Sequence, residues 1–352
     1  MPLRAGLKRS NVKHHQFFLI IGCKEVVLCA DYRMPRTEFV MKNNSFAWMA
    51  PAALLVLGSL AALPACDVID NPQPVKVTST LTTIEQARLD SAEAKTAAPA
   101  TTQNVLIEDY TGQYCGNCPR AAVMADSLHQ RYPDRVFVTE VHVTDYFAAP
   151  RLPHFPIDFR VPVVSQQVDQ TFDLSNRGLP QGAVNRAPFA LASNDPVATF
   201  SLWPGAVTAQ LAQAPTVELR ATPLYNQTNR KLILKVSTKY LTAQPGRTMR
   251  LGITVVEDGV VGAQKDYRLN RTQNPEQTVD TYVHHNVMRA ALAGTFGTQQ
   301  VVGPTAGQQF GDYLGYQMPA NSIWNDRKCS VIVYVADADT RQIVQVTQVK
   351  LP

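Results

Sequence analysis

The sequence predicts an α/β domain followed by an all-β domain. In residues 105–143, two apolar stretches flank a segment whose apolar side chains recur at helical spacing, the pattern of a strand–helix–strand unit. From Thr216 onward, apolar and polar residues alternate along several short stretches, as is typical of antiparallel strands with one buried face. We therefore expect an α/β domain in residues 104–213 and an antiparallel β-sandwich domain in residues 214–352.

The charge distribution argues against nucleic acid as a partner. The chain has 352 residues, enough for two ordinary domains, and a formal net charge of +5. Residues 1–65 contain 8 Lys/Arg and 3 Asp/Glu, whereas residues 66–352 contain 25 of each. Because the surplus of basic residues is confined to the N-terminal leader, no basic stripe remains to bind phosphates, and we expect no nucleic-acid binding.

Residues 41–65 have the parts of a secretory signal peptide: a short basic start at Met41, an uncharged apolar middle and small residues before Cys66. The sequence L-P-A-C resembles the bacterial lipobox, which implies lipid attachment at Cys66 and membrane association through that lipid. A transmembrane helix is the alternative, because the stretch approaches the length that crosses a bilayer. Its prolines and the polar sequence after Cys66 favour a cleaved signal. Residues 1–40 are then expected to be a non-native upstream extension.

Residues 66–103 are rich in Thr, Ala, Pro and Gln and contain few large apolar side chains. A segment of this composition cannot bury a core, so we expect a flexible tether between the lipid and the first domain. A short helix around Ile84–Ala94 is possible, but it would have little to pack with.

Cys115 and Cys118 form a C-x-x-C motif at the start of the predicted helix, after the strand Val105–Asp109. Pro119 fits the first turn, where its missing N–H would have had no partner. The N-terminus of a helix favours a thiolate over a thiol, so Cys115 is the candidate nucleophile. Export to an oxidising compartment also allows a permanent structural disulfide, and the motif alone is compatible with half a zinc site.

A strand, a C-x-x-C pair at a helix start, a second strand and then R-G-L-P before another apolar run together resemble the thioredoxin fold. That resemblance implies that Pro180 is the cis-proline that shapes the docking groove and that Asp109 is the buried acid that moves protons. It also implies that Cys115 attacks as a thiolate and that Cys118 resolves the mixed disulfide. Tyr114 stands where thioredoxins carry Trp.

The third cysteine of the predicted domains and three histidines are expected to have structural roles. Cys329 is in phase with the inward-facing valines of its strand, so we expect a buried apolar cysteine. His284 and His285 are neighbours on a predicted strand and point to opposite faces, so they are not expected to share one metal ion. His142 is expected to be a hydrogen-bonded core or edge histidine. We expect no cofactor and no metal.

The complete order resembles the outer membrane protein 28-related lipoprotein family: a lipobox, then E-D-Y-T-G-x-x-C-x-N-C-P, then a β region with H-H-N-V-M-R-A at residues 284–290. This resemblance implies lipid-anchored attachment to the cell outer membrane, facing the periplasm or the surface. Two functions follow as expectations. The first is thiol-disulfide exchange on exported proteins. The alternative is a non-catalytic surface binding or structural lipoprotein in which Cys115–Cys118 is a structural disulfide. Exported or surface proteins are the expected partners.

Overall fold

A computed structural model describes residues 81–96, 101–320 and 323–351. The expected upstream extension (1–40), signal peptide (41–65) and lipid site at Cys66 lie outside the described residues. The described residues all fall within one compact unit. None of their helices is long and apolar enough to cross a membrane.

Helices occur mainly in the first half of the described chain. In chain order they are α1 (Thr83–Lys95), α2 (Cys118–Arg131), α3 (Asp145–Ala148), α4 (Pro162–Phe172), α5 (Leu174–Arg177) and α6 (Trp203–Leu211), with short 3-10 turns at Ala190–Ala192, Phe200–Leu202 and Asp326–Lys328.

Strands dominate the second half. In chain order they are β1 (Val105–Thr111), β2 (Val136–His142), β3 (Gln181–Val184), β4 (Val217–Asn226), β5 (Lys231–Tyr240), β6 (Thr248–Glu257), β7 (Val260–Lys265), β8 (Thr278–His284), β9 (Val287–Ala291), β10 (Thr298–Val302), β11 (Gln309–Gln317), β12 (Cys329–Asp337) and β13 (Ile343–Lys350).

Helix α1 lies in the segment that was expected to be a flexible tether. A capping box formed by Thr82 and Glu85 starts it, and each side chain bonds the backbone of the other residue. Leu89 is fully buried, and Glu93 pairs with Lys235 of β5 at 2.5 Å. The expectation that this helix has little to pack with is wrong, because α1 docks on β4 and β5 through an apolar anchor and matched charges.

The predicted strand–helix–strand unit is confirmed at β1, α2 and β2. The two strands are parallel, with Val105 opposite Val136. Helix α2 packs Ala121 and Ala125 into a core cluster that also contains Val105 and Val136. Both strands are buried along their whole length, as their near-continuous apolar sequences indicate.

Strand β3 pairs with β1 in antiparallel orientation. The peptide bond Leu179–Pro180, directly before β3, is cis, as is Leu152–Pro153. Helix α6 places the fully buried Trp203 against β3. A Cβ atom on Gly182 would come within 2.2 Å of the Trp203 ring, so only glycine fits at this close approach.

Two sheets enclose the core of the second half. Strands β11, β5 and β4 form a three-stranded antiparallel sheet. A large apolar cluster joins this sheet to β6 and β12, and it includes Leu234, Tyr240, Ile253 and Val333. Strands β7 and β8 form a separate hairpin.

The largest sheet contains strands from both halves of the chain. Its order is β13-β12-β6-β9-β2-β1-β3, and β10 pairs with β6. The two halves meet where β2 pairs with β9 through Glu140 and Val287, and Glu140 N donates to Asn286 O at 2.9 Å. The boundary expected at residues 213 and 214 therefore does not interrupt the sheet.

Candidate functional site

Cys115 and Cys118 are joined by a disulfide at the beginning of α2, with their Cα atoms 5.4 Å apart. Cys118 is the first residue of the helix, and Cys115 N donates to Gly112 O in the turn after β1. Each cysteine is only 2% exposed. Neither sulfur is therefore presented to a partner in this conformation, and Cys115 is not exposed as a nucleophile.

Residues 264–267, which we call the cover segment, pack on the loop that carries the disulfide; they span the end of β7 and the start of the following loop. Lys265 N donates to Gln113 O at 2.8 Å, and Tyr267 N donates to Gly116 O at 2.8 Å. The Gln264 side-chain amide donates to Cys115 O at 2.9 Å. These bonds tie the cover segment to the loop that carries the C-x-x-C motif.

Aromatic contacts reinforce this closure. The Tyr267 ring lies against Gly116, where an added Cβ atom would come within 2.4 Å of the ring. Tyr114 has the Arg151 guanidinium 4.0 Å and the Lys265 ammonium 4.7 Å from its ring centroid. Cation–π contacts of this kind favour a fixed arrangement of the loop. The motif is thus held between the cover segment and the loop before α4.

Asp109 is fully buried in β1, and neither carboxyl oxygen has a hydrogen-bond partner in the described part of the chain. Burial, followed by the nearby carboxylates of Glu140 and Asp126, raises the pKa of Asp109 well above its usual range. The acid is therefore biased toward its protonated form. It makes no hydrogen bond to either cysteine.

We expect Asp109→Asn to be more stable than the parent protein at pH 7, with a difference that shrinks as the pH falls to about 4. Because folding raises the pKa of Asp109, unfolding releases a proton at any pH between the pKa of the unfolded chain and that of the folded protein. The parent loses stability as the pH rises through that window, and the variant does not. Urea unfolding at both pH values measures this, and an equal difference at the two pH values would contradict it.

Pro180 lies directly before β3, whose first residue, Gln181, pairs with Tyr110 of β1. Pro180 is only partly buried, and the hydrogen bonds of the cover segment are made to other residues. The topology therefore brings β3 next to the strand that carries Asp109, whereas the cover segment bonds the loop that carries the cysteines.

A second group of buried polar residues lies on β2 and β8 and was not recognised from the sequence. Glu140, His142 and His284 are buried, and one ligand-capable atom from each lies within 4.8 Å of the others. The expectation that His142 is hydrogen-bonded is wrong, since neither of its ring nitrogens has a partner among the described residues. Burial, then His284 and Arg289, lowers the pKa of His142 well below its usual value, which favours the neutral ring.

His284 is the last residue of β8 and His285 lies in the following loop, so the prediction that both belong to one strand is wrong, whereas Cys329 is buried as predicted. His284 is 2% exposed, whereas its neighbour His285 is half-exposed and hydrogen-bonds Asp258 at 2.8 Å, so the two do not share a site. Cys329 is a free buried cysteine, and burial raises the pKa of its thiol to about 12. It is therefore an unreactive core residue.

A groove of about 820 Å³ lies away from the disulfide, between the start of α4, the loop after β9 and the end of β12. Its lining includes Val161, Arg289, Phe296, Asp337 and Arg341, and none of the sequence-predicted site residues.

The comparisons with known proteins identify the family. Residues 165–352, more than half of the chain, match the family model described as outer membrane protein Omp28. The chain therefore belongs to the Omp28 family. The predicted family and the predicted location, a lipoprotein at the cell outer membrane, are confirmed. No curated protein matches the chain significantly.

Solved structures give the fold alone. HBP35 of Porphyromonas gingivalis matches with a TM-score of 0.52 and 18% identity, over 72% of this chain and 76% of that one. Protein AGR_C_4864 from Agrobacterium tumefaciens matches with a TM-score of 0.42 and 14% identity, over 70% and 94%. A domain of the outer membrane lipoprotein Omp28 from Porphyromonas gingivalis matches with a TM-score of 0.26 and 18% identity, over 39% and 88%.

Proposed function

We propose that this protein is a non-catalytic binding or structural lipoprotein of the outer membrane, in which Cys115–Cys118 is a structural disulfide. The observation that carries the proposal is that both cysteines are buried and that the cover segment bonds the backbone on each side of Cys115. A catalytic C-x-x-C pair needs an accessible sulfur, because exchange requires direct attack on it. Cys66 is the proposed lipid attachment site.

The proposal includes a thioredoxin-like region in residues 104–213 and a β-sandwich in residues 214–352. Support for the first comes from parallel β1 and β2, antiparallel β3 and the C-x-x-C pair at the start of α2. Support for the second comes from the apolar cluster shared by two sheets, β4-β5-β11 and the larger sheet. In this proposal the β-rich region is the platform for exported or surface protein partners.

Thiol-disulfide exchange is the second candidate, and Asp109 favours it. A buried acid with no hydrogen-bond partner and a raised pKa, beside the strand end that leads to Cys115, can accept and release a proton. In that reaction a partner thiolate attacks Cys115 Sγ, forms a mixed disulfide and releases Cys118 as a thiolate. A second partner thiolate then displaces Cys115, leaving an oxidised partner and a reduced pair. This chemistry requires the cover segment to open.

Trapping separates the two candidates. In Cys118→Ser, a catalytic Cys115 would attack a partner disulfide, in the reverse direction of the reaction above, and remain in a mixed disulfide because the resolving thiol is absent. We expect no such adducts when the variant is expressed in the envelope and analysed by non-reducing electrophoresis. Cys115→Ser is the matched control, since it retains one thiol at the other position. Adducts seen with Cys118→Ser and absent from Cys115→Ser would establish exchange.

The structural role also predicts a stability effect. Replacing both cysteines, Cys115→Ser with Cys118→Ser, should lower the free energy of unfolding by about 2 kcal/mol, the value expected for a four-residue loop. Urea unfolding of the full chain in detergent measures this change. No loss of stability would contradict the structural role, whether or not adducts are found in the trapping experiment.

A further inference from the structure

The second polar group combines residues that are far apart in the sequence. Glu140 and His142 lie two positions apart on β2, so their side chains point to the same face of the sheet. His284 is the last residue of β8 and comes from the hairpin that also supplies the cover segment. One oxygen or nitrogen atom from each side chain lies within 4.8 Å of the others.

This group has an unusual number of unsatisfied polar atoms. In the described part of the chain, Glu140 Oε2, both ring nitrogens of His142 and Nε2 of His284 are buried without a hydrogen-bond partner. The approach of His284 Nδ1 to Glu140 Oε2, at 3.7 Å, is too long for a hydrogen bond. Buried polar atoms normally have partners, so several orphaned atoms at one point indicate a missing ligand.

The group is surrounded by aromatic side chains, and the Arg289 guanidinium on the far side of this cluster is paired with Glu257. Phe159 contacts His142 and His284 with ring centroids 5.1 and 4.9 Å apart, and Tyr282 contacts His284 at 4.8 Å. Packing holds Phe159 in place, because a Cβ atom on Gly262 would meet its ring at 2.6 Å. These walls orient the two imidazoles and exclude water, so the orphaned atoms cannot be satisfied by bulk solvent.

We propose that Glu140, His142 and His284 bind one divalent transition-metal ion, with zinc as the expected occupant. Two imidazole nitrogens and one carboxylate oxygen are a donor set that zinc uses with three protein ligands, leaving one coordination position open. Cys115 and Cys118 are not available as thiolate ligands, since the two are joined in a disulfide. Calcium and magnesium are disfavoured because they prefer oxygen ligands.

Asp109 extends the proposed site. It is the register partner of Glu140 on β1, and both of its carboxyl oxygens are unpartnered among the described residues. Its carboxyl group therefore lies beside Glu140, one of the three proposed ligands. This assignment does not depend on whether the disulfide is structural or redox-active.

Metal content tests the proposal directly. The full chain, purified in detergent, is stripped with a chelator under denaturing conditions and refolded with ZnCl₂, because the site is buried and fills during folding. After removal of free metal, elemental analysis is expected to find one zinc per chain. A zinc content near zero would overturn the proposal.

Two ligand variants and one histidine control identify the site. Glu140→Gln keeps the shape of the side chain, and His142→Asn keeps a polar group; each should weaken zinc affinity by at least about tenfold, the scale seen when outer groups of metal sites are lost. His285→Ala removes the adjacent, half-exposed histidine and should leave affinity unchanged. Equal affinity in Glu140→Gln and the parent would overturn the assignment, as would loss of binding in His285→Ala.

Cobalt substitution tests the same site in the parent protein, so the proposal can still be judged if a ligand variant folds poorly. In the parent, bound Co²⁺ should give visible absorption bands of a low-coordinate nitrogen and oxygen site. The double variant Cys115→Ser, Cys118→Ser should keep those bands. If the parent instead shows absorption bands of cobalt bound to thiolate, and the double variant lacks them, the metal is bound by the cysteines and the proposal is overturned.

Discussion

Glu108→Ala is expected to lower the free energy of unfolding by about 3–5 kcal/mol, because it leaves the Arg186 guanidinium buried without its counter-charge. Arg186 is 3% exposed and donates from Nε and Nη2 to the two carboxylate oxygens of Glu108 at 2.6 and 2.7 Å. It also stacks over Tyr334 of β12 and bonds its hydroxyl at 3.3 Å. The pair therefore lies where β1 packs on the strands of the second half.

Urea unfolding of parent and variant measures this effect, and Glu218→Ala is the matched control. Glu218 pairs with Lys239 at 3.5 Å on a partly exposed surface, so its loss should change stability by less than about 1 kcal/mol. The double variant Glu108→Leu, Arg186→Met should recover much of the lost stability, since it removes both charges together. A loss below about 1 kcal/mol in Glu108→Ala would mean that the pair is not held in its buried geometry.

Gly116→Ala is expected to increase the rate at which a small thiol reduces Cys115–Cys118 by about tenfold or more. The added Cβ atom would meet the Tyr267 ring at 2.4 Å, so the cover segment must shift away from the disulfide. Overpacking of this size destabilises the local contact by about 1–3 kcal/mol, and each 1.4 kcal/mol changes the population of an open state tenfold. Thiol release over time, measured under native conditions, gives the rate.

Gly205→Ala is the matched control for this experiment, because a Cβ atom at Gly205 meets nothing within 4 Å. It should leave the reduction rate unchanged. Tyr267→Ala alone should also speed reduction, and Gly116→Ala should add little in that background, because the ring it would meet is gone. A reduction rate in Gly116→Ala equal to that of Gly205→Ala would show that the cover segment does not limit access.

Much of the α/β region was predictable from local sequence. The apolar runs at β1 and β2, the helical spacing of α2 and the proline at its first turn act within a few residues. Alternation also located β4, β5, β6, β12 and β13. It could not locate β7 to β11, because these strands lack regular alternation; apart from His284, the residues of β8 and β10 are exposed or only half-buried.

The site was predictable only in part, since its closure depends on contacts between distant segments. The hydrogen bonds of the cover segment are made largely by backbone groups, which carry no sequence signature, and Gln264 lies 149 residues from Cys115. Glu140 and His142 share a face at period two, but their partner His284 arrives only through the pairing of β2 with β9. Local pattern cannot reveal which strand will lie beside another.

The pairing of β2 with β9 has a consequence for shortened forms of the protein. A fragment that ends at residue 213 would lose β9 and leave Val136–His142 as an edge strand, although all seven residues are buried in the intact chain. An uncovered apolar edge pairs readily with the same edge of another molecule. Such a fragment is expected to aggregate, and soluble fragments of this protein will need to retain both β2 and β9.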